Sequence, residues 1–310
     1  AHPHIIPAMV EPWIIITIAA AFFQNLRSAL QKHLKGRLST TGAGYSRFIY
    51  ALPVAAAYLG LLLWAGDHPL PAANARFLWF CLFGGICQIL FTVCLLWMFS
   101  FQSFAVGTTF SKLEVIMVAV LGAILLGDYL NAWAVLAIVI SSLGVVALSL
   151  GQNRLTLRGM LDGVLRRPTL IGLVCAAWLG GSVVFYRGAS LALGHDDFVV
   201  SAALTLFVSL AIQTLLMGGY LVLREPGELG RVLRHWRWAG AAGLAGALAS
   251  ICWFTAFTIQ NASFVRAVGQ VELVFTFVAT TVFFREKVST AEVAGIVLVC
   301  GGIILLVLYG

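Results

Sequence analysis

Charge is what this chain has least of. Of its 310 residues only 10% are Asp, Glu, Lys or Arg, against roughly 25% in a soluble domain. No stretch carries the polar surface that a water-soluble domain of this length needs, so two soluble domains are excluded. Acidic residues are scarcer still, 12 against 19 basic, and the basic ones lie in short segments between apolar runs. The net charge of +7 is therefore no sign of nucleic-acid binding. The six cysteines all fall inside apolar runs and form no CxxC motif. They are expected to be small buried apolar residues rather than disulfides or metal ligands. His33, His68, His195 and His235 are scattered and make no metal motif. The opening AHPHIIPAMVEP lacks the basic region of a signal peptide. Glycine-rich stretches such as GLAGALAS (243–250) lack the GKS/T of a phosphate loop. No cofactor is expected.

What is abundant is hydrocarbon: 61% of residues are hydrophobic. A bilayer core about 30 Å thick takes about 20 apolar residues per helix. Ten stretches qualify, at 13–30, 45–66, 77–100, 105–126, 130–150, 169–193, 198–222, 238–259, 263–284 and 290–308. Backbone groups in lipid must be satisfied within the segment, so each is expected as a helix. The expected class is an all-α membrane protein with ten transmembrane helices. Loops after odd-numbered helices hold thirteen Lys and Arg, and those after even-numbered helices only Arg76. The positive-inside rule then puts the odd loops in the cytoplasm and both termini outside a plasma (inner) membrane.

The chain also resembles itself. At a shift of 158 residues, Cys94 meets Cys252, Gln102 meets Gln260, Glu114 meets Glu272, Asp128 meets Glu286 and Gly144 meets Gly302. At a shift of 160, Arg27 meets Arg187. Matching loops carry opposite charge bias, as halves of five helices inserted upside down to one another require. The expected organisation is a first repeat over 13–150, a cytoplasmic linker over 151–168 and a second, inverted repeat over 169–308. Inverted repeats with a midplane site are a common transporter architecture.

Two further features point the same way. LLGDYLN (125–131) and FFREKVS (283–289) each close a helix on an acidic residue before a short polar turn, and glycine-rich final helices follow, SSLGVVAL (141–148) and CGGIILLV (300–307). In these the chain resembles the drug/metabolite transporter superfamily, in its ten-helix EamA-domain branch. The resemblance covers nearly the whole chain. It implies export or exchange of small metabolites, amino acids among them, by alternating access.

The candidate site comes from misplaced charge. SKLEVIM (111–117) sets Lys112 and Glu114 in an apolar span. At 1.5 Å per residue Glu114 lies roughly 13 Å deep, and Glu272 lies equally deep from the other face. Midplane charges cost at least about 2.5–3.5 kcal/mol each, and normally face a cavity or a partner. Lys112 and Glu114, two apart, point to different sides of their helix, so each needs a partner elsewhere. Glu114 and Glu272 are candidates for a coupling proton or a substrate ammonium. Lys112, with its counterpart Gln270, is a candidate for a substrate carboxylate. Salt bridges between neighbouring helices are the alternative use of the same charges. Arg27, Arg187 and Arg266 are expected as gating residues or charge pairs. Asp128 and Glu286, at helix ends, are expected to be solvated or capping. Trp97, Trp178, Tyr186 and Trp253 stand near midspan on helices that line the cavity in the resembling family. There they can hold an ammonium or pack.

The expected function is secondary transport of a small polar metabolite, an amino acid or similar zwitterion or amine, with membrane lipids and a coupling proton as further partners. Monomer and homodimer both fit. A channel or lipid scramblase of the same fold is the alternative. An intramembrane protease does not fit: every Asp lies in a loop or at a helix end, and no His falls midspan.

Overall fold

The computed structural model describes residues 11–34, 38–66, 70–98, 112–152, 167–278 and 289–310. Among these the chain is helical throughout, in the order α1 (Pro12–Leu34), α2 (Thr40–Ile49), α3 (Ala51–Gly66), α4 (Ala75–Met98), α5 (Glu114–Leu126), α6 (Ala132–Gln152), α7 (Arg167–Ala192), α8 (Phe198–Arg224), α9 (Glu228–Arg234), α10 (Trp236–Ile259), α11 (Ala262–Gly269), α12 (Val271–Val278) and α13 (Thr290–Tyr309). Seven spans are long and apolar enough to cross a membrane: 41–66, taking α2 and α3 together, and those of α4, α6, α7, α8, α10 and α13.

Polar side chains placed just outside the apolar runs start the helices. Asp197 accepts from the N–H groups of Val199 and Val200 at the head of α8. Ser289 and Glu292 form a capping box on α13, and Asn131 Oδ1 accepts from Ala134 N at 2.7 Å at the head of α6. Asn131 and Ser289 are mates at the 158-residue shift, so the two repeats start their last helix with the same device. Gly127, at φ 71°, ends α5 in the left-handed conformation that glycine adopts without steric cost.

Two expected single spans are interrupted. The stretch expected at 45–66 starts earlier, at Thr40, and breaks at Tyr50. Pro53 has no N–H to give the carbonyl of Ile49, and its ring crowds that turn. The stretch expected at 263–284 breaks at Gln270, after Gly269. A Cβ on Gly269 would stand 2.5 Å from the Trp253 ring, so glycine is what lets the indole reach the break. Within the stretch expected at 105–126, the described helix begins at Glu114.

Helix partnerships follow a two-fold pattern. α1 lies along α10, and α7, its mate in the second half, lies along α4, the mate of α10. α6 lies along α13, its own mate. That last contact is backbone-close. A Cβ on Gly144 would meet Gly295 O and Val299 N at 2.7 Å, and one on Gly302 would meet Ala137 O and Ser141 N at 2.8 Å. Small residues allow such approach where lipid gives helices no hydrophobic reason to associate. α7, α8 and α10 are the more buried spans, whereas α3 and α13 turn most of their surface outward.

Leucine at Gly144 or at Gly302 is expected to prise α6 from α13 and destabilise the fold by about 1–3 kcal/mol. Thermal melting in detergent checks this, with Gly301→Leu as the silent control, because open space surrounds that position.

Candidate functional site

Among the described residues, three ion pairs lie inside the bundle. Lys112 Nζ reaches Glu272 Oε1 at 2.7 Å. Arg266 pairs with Glu114. Arg187 Nε and Nη2 bind Asp128 at 2.8 and 3.3 Å. Each pair takes one partner from the first half of the chain and one from the second. The local reason is a shared helix start: Glu114 opens α5 and Glu272 lies in the first turn of α12. Both carboxylates thus meet the positive end of a helix dipole as well as a cation.

The Glu272 pair is extended by hydrogen bonds. Gln24 Nε2 donates to Glu272 Oε2 at 2.5 Å, Asn25 Nδ2 donates to the Glu272 carbonyl at 3.2 Å, and Trp253 Nε1 donates to Gln24 Oε1 at 3.1 Å. The Arg266 guanidinium lies over the Trp253 ring, 4.8 Å from its centroid, and Phe257 stacks on the same indole. One tryptophan therefore joins both pairs: it hydrogen-bonds toward Glu272 and holds Arg266 by its face. Lys112, Glu114, Arg266, Glu272 and Trp253, all singled out in the sequence, form one network.

The other candidates fall elsewhere. Gln270 is buried at the break between α11 and α12, where its N–H donates to Ala267 O at 3.1 Å. Tyr186 is buried against Phe254 and accepts at its hydroxyl from Gln213 Nε2 at 2.7 Å. Trp178 is half-buried on α7. Trp97 lies in the last turns of α4 with its side chain outside the described residues, as is the whole of Glu286. Asp128 is a correction: expected as a solvated or capping group, its side chain is 15% exposed and holds Arg187. Arg187 also donates from Nη1 to the carbonyls of Phe257 and Gln260, both at 2.6 Å, and so clasps the end of α10 to the end of α5. Its mate Arg27 is different: it has no hydrogen bond or ion pair among the described residues, and its Nε is buried without a partner.

Sequence reasoning passed over Arg47. Five of the nineteen basic residues lie outside the loop tally: Arg27, Lys112, Arg187, Arg266 and Arg47. Subtraction alone would have exposed the fifth, but Arg47 sat near the start of an expected span, where an interfacial arginine attracts no notice. It lines a small central cavity with Gln88, Tyr186, Ser209, Ser250 and Phe254, and it too has no ion pair among the described residues.

Truncating one member of a buried pair strands the other. Arg266→Met is expected to cost about 3–5 kcal/mol, and adding Glu114→Leu is expected to recover much of it. A double-mutant cycle in chemical denaturation measures the coupling.

The likeness to known proteins agrees with this architecture. A crystal structure of another protein superposes with a TM-score of 0.65 at 15% identity, covering 94% of this chain and 95% of that one. At that identity the likeness is one of fold. No curated protein matches the sequence. The sequence model of the EamA-like transporter family matches twice, over 11–150 and 169–308. With both halves matched and the apolar helices in place, the chain is a multi-pass membrane protein that belongs to the EamA-like transporter family.

Proposed function

We propose that the protein is a secondary carrier of a small polar metabolite, an amino acid or a molecule of similar size, working by alternating access between its two halves. The observation that carries this reading is the crossing of the midplane ion pairs, Lys112 to Glu272 and Glu114 to Arg266, from one half to the other. Any relative motion of the halves must stretch or exchange these pairs. A proton on Glu272, or a charged group of the substrate, would take the place of the lost partner. Coupling of transport to charge is then built into the motion.

The clasp of Arg187 supports the same reading. It closes the Asp128 end of the bundle, while its mate Arg27 makes no hydrogen bond or ion pair among the described residues. Two equivalent arginines in opposite conditions are what a carrier caught in one of two related states would present. By loop charge the Asp128 end faces outside, residues 151–168 are a cytoplasmic linker, and the membrane is the plasma (inner) membrane. Export or exchange is the direction that the family resemblance favours.

Glu272→Gln tests this reading. Glutamine keeps the side chain's length and an oxygen that can accept from Lys112, so the fold should stay intact. Transport by proteoliposomes under a pH gradient is expected to fall by about tenfold or more, the equivalent of about 1.4 kcal/mol, or to lose its response to the gradient. Wild-type rates with unchanged pH response would reduce the Glu272 pair to a structural fastener.

A further inference from the structure

Three of the five basic residues within the spans are matched by three acids, each across the two halves. Arg27 and Arg47 are left over. Among the described residues, no Asp or Glu lines the central cavity that Arg47 borders. Arg27 stands on the other side of Gly246, itself a lining residue: a Cβ there would lie 3.1 Å from Arg27 Cδ. The charge of Arg47 acts unfavourably on Arg27, and the carboxylate that acts favourably on it, that of Glu272, is already engaged by Lys112 and Gln24.

The remaining polar groups of the cavity have donors to spare. The Tyr186 hydroxyl accepts from Gln213, which frees its own proton for donation. Gln88 accepts from Ser182 through Oε1 at 3.1 Å, which leaves its amide N–H groups for another partner. The Ser209 hydroxyl is buried, with only the weakly bonding Cys81 thiol beside it among the described residues. Phe254, Leu206 and Leu210 supply an apolar wall. Two uncompensated cations beside several free donors complement a planar or tetrahedral oxyanion.

We propose that Arg47 and Arg27 form the anion-binding end of the transport site, taking the carboxylate or phosphate group of a small organic substrate whose apolar body lies on Phe254. The proposal rests on the carrier reading and narrows its substrate class: an amine without an acidic group is excluded.

The experiment is a thermal-shift panel on purified protein in neutral detergent, using small mono- and dicarboxylates, amino acids and phosphate monoesters. Each acid is matched with its amide or neutral analogue. Binding to the native state raises apparent stability with ligand concentration. At least one acid should stabilise wild type while its amide does not. Arg47→Gln should weaken that binding at least about tenfold, equivalent to about 1.4 kcal/mol, and Arg47→Lys should restore part of it. Because a variant can fail to fold, phenylglyoxal labelling of wild type with mass-spectrometric readout is the second measurement. The same acid should protect Arg47 and Arg27, and its amide should not. Stabilisation that survives Arg47→Gln together with Arg27→Gln, or by amines and neutral compounds alone, overturns the proposal. So does protection by phosphatidylglycerol nanodiscs, relative to phosphatidylcholine, with no effect of any soluble acid, because the site would then hold a lipid headgroup. Proteoliposome uptake separates the two levels. An acid that binds through the arginines but is not carried overturns the carrier reading and leaves the site standing. Saturable uptake indifferent to both arginines overturns the site and leaves the carrier.

Discussion

Neutralising charge in a medium that cannot solvate it is the constraint on which the rest of the structure depends. Lipid offers a buried cation nothing, so the chain must supply the counter-charge itself. It does so across the two-fold relation between its halves: Lys112 with Glu272, Arg266 with Glu114, Arg187 with Asp128. Neither half is electrically complete alone. The first half would expose Lys112, Glu114 and Asp128, and the second Arg187, Arg266 and Glu272. The assembly of the two repeats is thereby specified by charge as well as by shape, and desolvation makes mispairing costly.

Shape supplies the other half of the specification. The contact between α6 and α13 is tight because glycines at mated positions, Gly144 and Gly302, let each backbone touch the other helix. The contact between α11–α12 and α10 is tight because Gly269 admits Trp253. These places differ in consequence. The first is a symmetric seam of small residues with no ionisable partners, suited to stay together. The second brings an interrupted helix, an indole and two ion pairs to one spot, where a small rotation would change every hydrogen bond at once.

Much of this was legible in the sequence, for physical reasons that also mark where legibility stopped. Apolar runs and loop charge reveal spans because lipid leaves the chain no alternative. Opposite charge bias in matching loops pointed to the repeat, because halves of five helices must enter the membrane upside down to one another. The partners of those charges were not readable. Lys112 to Glu272 is a contact across 160 residues, and no local period encodes it. Asp128 misled because a helix-end acid is ordinarily solvated, and only the folded chain brings Arg187 to it. The break at Gln270 was hidden because Gly269 and Gln270 sit in a run apolar enough to pass for a continuous helix. Arg47 was hidden by the habit of assigning a basic residue near a span's end to the interface. In the structure α2 begins at Thr40, so Arg47 stands two turns inside it.

The surplus of two arginines has a consequence for how such a carrier would avoid cycling empty. While the central cavity communicates with water, solvent screens Arg27 and Arg47, and their proximity costs little. Closing the cavity removes that solvent, and the repulsion between two guanidinium groups rises steeply as the local dielectric falls. An occluded empty state is then penalised, and an anion that neutralises the pair removes the penalty. The substrate would shift the conformational equilibrium by the amount it binds the closed state more tightly than the open one. In that account the matched pairs break and re-form as the halves move, and the two unmatched arginines would make the occupied carrier the one that closes.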